Sequence, residues 1–293
     1  MRKKFGVFLA VLVSFLIGIY FAADYYITKK VEEKIDKKLQ ALKPEFDVKY
    51  KNCDVSIFRK SVTLENITVS GSLLKKPLSI NKLEVENPDI KGNFPRYARI
   101  VVDSVEIPIE NFPENLRYIL NLLDYRKTIS FNTEFSYHFN PEKRRFSLNK
   151  YILDVPESGS LFVSLKLYEI PDFKNVSGIE SLIFKFLSIK IADGVLIYKD
   201  KGFYERAITG IAKYRNLSPV EVKRKIKLKI NKELGNDILS LMIKKALIKF
   251  IENPRLIKVE IHPDEPVRLG TFLFNSASPE ELVNKLGLKV EAD

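Results

Sequence analysis

The feature that most constrains this chain is an alternation of apolar and polar side chains that begins at Phe46 and recurs, with short breaks, as far as Ile170. A period of two belongs to strands, because successive side chains on an extended backbone point to opposite faces. Phe46, Val48 and Tyr50 open the pattern, Cys53, Val55 and Ile57 follow, and Val62, Leu64, Ile67, Val69, Leu78, Ile80, Leu83 and Val85 carry it on. The phase slips near Asn52, Asn66 and Asn81, which predicts bulges or bends rather than flat strands. Tyr97 to Ile109 reads as a further strand whose Pro108 places that end at a sheet edge. Phe112 to Asp124 reads as a helix opened by Pro113 and Glu114. Thr128 to Phe139, Arg145 to Val155 and Leu161 to Ile170, with turn residues at 140–143 and 156–159, read as an antiparallel meander. Residues 44–170 are therefore a strand-rich domain.

Residues 171–293 change character to a helix-rich region with flanking strands. Helices are expected over 177–187, 202–214, 218–234 and 237–252, with a strand pair or one bent strand over 188–198 around Asp193-Gly194. Ser218-Pro219-Val220-Glu221 is a capping box with proline at the first helical position. The KIKLKI run at 225–230 also alternates like a strand, and the capping box favours helix. A strand over 256–262, a helical turn near Phe272, a second capped helix from Ser278 and a last strand over 287–291 complete the reading. The net charge of +12 belongs largely here, because residues 201–258 hold fifteen Lys and Arg against five Asp and Glu.

Before the strands, Phe5 to Ala23 carries no charge over nineteen residues. At about 1.5 Å per residue that is roughly 28 Å, the thickness of a hydrocarbon core. An uncleaved transmembrane helix is expected in preference to a cleaved signal, because Tyr20 and Phe21 occupy the positions where a cleavage site wants small residues. Arg2, Lys3 and Lys4 precede the run and Asp24 follows it, so the N-terminus is expected in the cytoplasm and residues 24–293 outside it. Lys29, Lys30 and Lys34 argue the other way. Ile27, Val31, Ile35, Leu39 and Leu42 form a helical stripe over 24–43, read as a stalk that Pro44 ends.

The residues that carry chemistry are sparse. His138 and His262 are the histidines, and Cys53 is the one cysteine, so neither a disulfide framework nor a thiolate–imidazole metal site is expected. Cys53 falls in an apolar strand pattern and reads as an inert thiol. His262, Asp264 and Glu265 resemble ligands, but Pro263 and Pro266 make a rigid strand exit the better reading. Ser158-Gly159-Ser160 is a turn and not a nucleophile elbow, and no glycine-rich phosphate loop is present. No catalytic, cofactor or metal residue is assigned and the chain is read as a non-enzyme. The basic stretch Lys223, Arg224, Lys225, Lys227 and Lys229 lies opposite the Val222–Ile226–Ile230 stripe, as a solvated helix face also does. Its sharper reading is contact with anionic lipid headgroups. Nucleic acid is not expected as a partner of an exported domain.

The stretch FDVKYKNCDVSIFRKSVTLENITVSGSLLKKPLSINKLEVEN, residues 46–87, with its Leu64-Glu65-Asn66-Ile67 phrase, resembles bacterial envelope proteins of the AsmA-like type, over roughly residues 5–110. The region 188–292, especially LIYKDKGFYERAITGIAKYRN and the closing SPEELVNKLGLKV, is similar to C-terminal parts of uncharacterised membrane-anchored bacterial proteins. The first resemblance makes the membrane a bacterial inner membrane and implies a twisted periplasmic sheet with an apolar concave face, implicated in membrane assembly or phospholipid transfer. The expected fold is thus α+β: a transmembrane helix, a stalk, a mainly antiparallel twisted sheet and a helix-rich C-terminal part. The expected function is a non-enzymatic, membrane-anchored envelope protein that binds or hands over lipid. The alternative is a scaffold for other envelope proteins in which the chain's own helices close the sheet. A hydrolase would require His138 or His262 to meet a nucleophile or carboxylate in a cleft.

Overall fold

In the computed structural model, which describes residues 27–86, 96–171, 178–271 and 278–293, the alternating segments pair into one twelve-stranded antiparallel sheet. The strands are β1 (Phe46–Lys49), β2 (Asn52–Ser56), β3 (Ser61–Gly71), β4 (Leu78–Glu86), β5 (Tyr97–Pro108), β6 (Thr128–Asn140), β7 (Arg145–Val155), β8 (Gly159–Tyr168), β9 (Lys190–Asp200), β10 (Leu256–Ile261), β11 (Val267–Arg268) and β12 (Leu288–Ala292). Across the sheet the order is β1-β3-β4-β5-β6-β7-β8-β9-β10-β12, with β2 beside β1 on β3 and β11 beside β10 on β9. The helices are α1 (described over 27–40), α2 (Glu114–Leu122), α3 (Ile179–Ser188), α4 (Phe203–Arg215), α5 (Pro219–Glu233), α6 (Ile238–Glu252) and α7 (Pro279–Leu286).

Register explains the phase slips. Leu64 faces Leu83 and Ile67 faces Ile80, so the slips at Asn66 and Asn81 lie opposite each other and keep apolar side chains together on one face. Asn66 adopts φ 53°, a left-handed conformation that asparagine tolerates. Ser104 of β5 does the same at φ 52°, and its N–H donates to Asn132 Oδ1 of β6 at 2.7 Å. A crease therefore crosses four strands, and the β5–β6 register shifts at it, between Val102 and Val105. Pro108 pairs with Thr128 on β6, whereas β4 pairs with β5 only as far as Glu106, so its missing N–H falls where β5 outruns its other neighbour.

The sheet does not stop at residue 170. β8 pairs with β9 from Gly159↔Asp200 to Tyr168↔Lys190, so the meander and the C-terminal strands are one structure. Lys190–Asp200 is a single strand through Asp193-Gly194, and not a pair. Gly194 lies between Leu165 and Ile261 of the neighbouring strands and is paired on both sides, so it continues the strand instead of making a turn.

The helices gather at the C-terminal end. α6 lies on β10 and β12, α7 on β12 and α6, and α2, α4, α5 and α6 follow one another side by side. Ala246 and Phe250 of α6 pack on Tyr198, Ile257, Val290 and Ala292, while Ile208 and Ala212 of α4 meet Val222 of α5. α5 begins at the predicted capping box, with Glu221 N–H on Ser218 Oγ and the Ser218 N–H on the Glu221 carboxylate. The 225–230 run is helical because this cap satisfies orphan N–H groups that a strand would have left to a neighbour.

The membrane part of the expected fold is corrected. Among the described residues no helix is long and apolar enough to cross a membrane. α5 and α6, at fifteen residues each, span about 22 Å against a core of about 30 Å, and both carry lysines along their length. Phe5–Ala23 and its flanks Arg2, Lys3 and Lys4 lie outside the described residues. The single-pass helix, and the inner-membrane, periplasmic placement that followed from it, are not carried further. Of the expected turn near Phe272, the described residues hold the helical 270–271, and Phe272 itself lies outside them.

Candidate functional site

Cross-strand register builds a continuous apolar surface. Val55, Val62, Val85, Ile100, Phe135, Tyr151, Val163, Leu196, Val259 and Val290 are successive partners, one per strand, from β2 to β12. A parallel row runs from Cys53 through Leu64, Leu83, Val102, Thr133, Leu153, Leu161 and Tyr198 to Ile257 and Ala292. Such rows form because an antiparallel ladder aligns residues of equal phase on one face.

The opposite face carries cross-strand ion pairs. Arg99 binds Glu86 at 2.6 Å and Glu134 at 2.8 Å, Lys150 binds Glu134 at 2.6 Å, and Lys166 binds Asp193 at 3.0 Å. Burial pushes the Glu134 carboxyl up, but Lys150 and Arg99 beside it outweigh that and hold it below the ordinary value. The Arg99 guanidinium is in turn held charged by Glu134 and Glu86.

The two ends of the apolar face are occupied and the middle is not. At the β2–β3 end α1 approaches, with the Tyr50 hydroxyl donating to Asp36 at 2.6 Å. Burial, with Glu32, Asp54 and Asp36 nearby, pushes the half-buried Cys53 thiol up to about 11. At the other end α6 covers the Tyr198–Ile257–Ala292 part of the second row. Among the described residues no helix is packed along β4 to β8. There Leu83, Val102, Phe135, Tyr151, Leu153 and Val163 are only half-buried, screened by lateral neighbours, and Leu196 on β9 is 38% exposed. The five strands β4 to β8, at about 4.8 Å spacing, carry these two rows over roughly 20 Å.

Where the open face meets the helices, Tyr125, Leu153, Val155, Ser158, Gly159, Leu161, Tyr198 and Phe203 line an open depression of about 220 Å³. Its polar side is a cluster from three segments. Arg206 in the first turn of α4 donates from Nη2 to the Ser158 hydroxyl, to the Glu157 carbonyl at 3.2 Å and to the Tyr125 hydroxyl at 3.4 Å. Its guanidinium carbon stands 4.9 Å from the centre of the Tyr125 ring. Tyr125 and Ser158 share a further hydrogen bond. Ser158 is 4% exposed, and its carbonyl accepts from the N–H groups of Lys201 and Phe203, which ties the β7–β8 turn to the start of α4. Gly159 is required beside it: a Cβ there would stand 2.9 Å from the Tyr198 hydroxyl oxygen. Tyr198 donates to Asp200 at 2.7 Å, and burial with that carboxylate pushes its phenol up. Arg206 Nε and the Tyr204 hydroxyl are buried with no hydrogen-bond partner among the described residues; burial and Glu205 push the Tyr204 phenol up to about 12.

The basic stretch of α5 is partly consumed within the helical layer. Lys223 binds Glu205 at 2.6 Å and lies over the Tyr204 ring, Lys227 binds Glu252 at 2.7 Å, and Lys229 reaches Glu233 at 3.7 Å. Arg224 and Lys225 are exposed. Among the described residues no three His, Cys, Asp or Glu converge as a metal site would require. His138 is exposed on β6. His262 meets Asp193 through Nδ1 at 2.6 Å and Glu260 through Nε2 at 3.6 Å, on the ion-paired side of the sheet beside Lys166 and Lys258. Asp264 and Glu265 take no part in that cluster. Ser158 is partnered by Tyr125 and Arg206, not by a histidine.

Comparison with known proteins matches residues 153–293 to a family profile described as an uncharacterized protein. An Aquifex aeolicus protein, likewise described as uncharacterized, is 28% identical over 287 residues, covering 92% of this chain and 91% of its own. The profile spans β8 to β12, α3 to α7 and every member of the Arg206 cluster except Tyr125. Sequence reading missed that cluster: Arg206 lies 81 residues from Tyr125 and 48 from Ser158, so no local spacing signals it.

Proposed function

We propose that this protein is a non-enzymatic binder of acyl lipid, holding hydrocarbon chains against the open apolar face of β4 to β8 and passing them on. The observation that carries the reading is the pair of rows, apolar but for Thr133, with no layer of the described residues packed over their middle. The faces differ as the task demands: ion pairs favour water on one side, and the other gains about 0.8 kcal/mol for each methylene it buries. One leaflet's acyl chains span about 15 Å, half of a hydrocarbon core, so the face is long enough for a whole chain. The resemblance of residues 46–87 to AsmA-like proteins points the same way. The competing reading, a scaffold whose helices close the sheet, needs a second layer over β4 to β8, and the described helices pack elsewhere.

The test is to purify the full chain without stripping it and to quantify bound lipid by mass spectrometry. Acyl lipid at about one or more per chain is expected. Protein that stays empty after exposure to lipid vesicles overturns the reading.

A further inference from the structure

The depression at the helical end of the apolar face is built differently from the rest of it. Apart from Ser158 and the tyrosine hydroxyls its lining is hydrocarbon, yet Arg206 stands directly behind Ser158 and Tyr125. Most cations of the sheet have a carboxylate: Arg99 has two, and Lys82, Lys150, Lys166 and Lys201 one each. Among the described residues no carboxylate pairs with Arg206; its partners are two hydroxyls and a carbonyl. Its Nε–H is buried without an acceptor, a cost that native structures rarely leave standing. Of the nearby acids, Asp200 accepts from Tyr198, from the Gly202 N–H at 2.8 Å and from the Tyr204 N–H at 3.0 Å, Glu205 holds Lys223, and Glu157 meets Arg206 through its backbone carbonyl.

A cation short of its anion, standing behind two hydroxyls at the helical end of an apolar path, has the chemistry of a carboxylate receptor. We propose that this pocket takes the carboxylate of a long-chain fatty acid, with Arg206, Ser158 and Tyr125 as its partners and the tail lying over Leu161, Leu153, Thr133 and Val102. The proposal rests on the acyl-binding reading of the sheet face and names its ligand class. A single-chain acid fits better than a phospholipid because the site presents one carboxylate-sized set of donors, Arg206, Ser158 and Tyr125, beside a depression of about 220 Å³ with room for the first methylenes. Leu153 and Leu161 belong to both the wall of the depression and the second apolar row, so the tail leaves the pocket directly onto the open face.

The experiment uses the full chain, stripped of lipid, titrated calorimetrically with palmitate, methyl palmitate and dioleoyl phosphatidylcholine. Palmitate is expected to bind at least about ten-fold tighter than its methyl ester, the worth of one charge-assisted interaction. Arg206→Met and Ser158→Ala should bring palmitate down to the affinity of the ester while leaving the ester unchanged. Tyr125→Phe, which keeps the ring under the guanidinium, should give a smaller loss of the same selectivity and provides the reading if Arg206→Met fails to fold. Equal binding of palmitate and ester by the unmodified protein, or variants that weaken both alike, overturns the carboxylate site and leaves the apolar-face reading intact. Failure of all three amphiphiles to bind overturns both.

Discussion

Gly210 of α4 lies against the carbonyl of Leu122 at the end of α2, so close that a Cβ on the glycine would stand 2.5 Å from that oxygen. This contact sets how near α2 comes to α4, and hence where Tyr125, three residues on, meets Arg206. In an isolated helix Gly→Ala gains about 1 kcal/mol. Here the added methyl meets backbone, which cannot rotate away, and overpacking of this kind costs about 1–3 kcal/mol. Gly210→Ala is therefore expected to lower stability by about 1 kcal/mol in urea unfolding; a stabilised variant would contradict the contact.

The helical end and the open middle of the apolar face should respond oppositely to substitution. Phe250, 8% exposed and edge-on to Tyr204 at 5.5 Å, anchors α6 to the sheet. Phe250→Ala should cost about 3–5 kcal/mol. Val163, half-buried opposite Tyr151 and Leu196, has no layer above it. Val163→Asp should cost only about 1 kcal/mol, within the span of strand preference, while sharply reducing co-purified lipid. Thermal unfolding and lipid quantification on the same samples check both halves.

Glu134 contributes a defined pH dependence. With its folded pKa below the ordinary 4.5, the folded state holds fewer protons than the unfolded chain between the two values. Stability therefore rises with pH across that interval, is fully present above about pH 4.5, and is lost as pH falls through the folded value. Glu134→Gln should flatten the stability profile between about pH 5 and pH 3. An unchanged profile would mean that Lys150 and Arg99 do not bind Glu134 in solution.

Cys53 should be a poor nucleophile in the folded protein. A thiol raised to about 11 from 9.0 has about a hundred-fold less thiolate at pH 8, and thiolate is the reactive form. Alkylation by iodoacetamide should be about a hundred-fold slower than for an unfolded control, and urea should abolish the difference. Rapid labelling of the native protein would place Cys53 outside the strand pairing described.

Much of this architecture is legible locally. Val62, Leu64, Ile67 and Val69 announce both the strand and its slip, because only a left-handed residue at Asn66 keeps all four on one face. Ser218 and Glu221 announce the start of α5 against the contrary alternation of 225–230. Asp193-Gly194 misled because glycine marks turns yet also occurs inside continuous strands, and the neighbours that hold it extended, Leu165 and Ile261, are distant in sequence. α3 was foreseen as a helix, but nothing local indicates that Ile179 and Phe184 stay exposed, at 76% and 67%.

The sequence alone determined which segments extend, which coil and where most of them begin, since alternation, capping and proline act over a few residues. It determined too that histidine and cysteine are too scarce for familiar catalytic centres. Tertiary structure alone decided that the strands on both sides of residue 170 form one sheet, that the described helices shield its C-terminal end rather than β4 to β8, and that Tyr125, Ser158 and Arg206 meet. Those outcomes depend on pairing between distant segments, which the period of a pattern permits but does not specify.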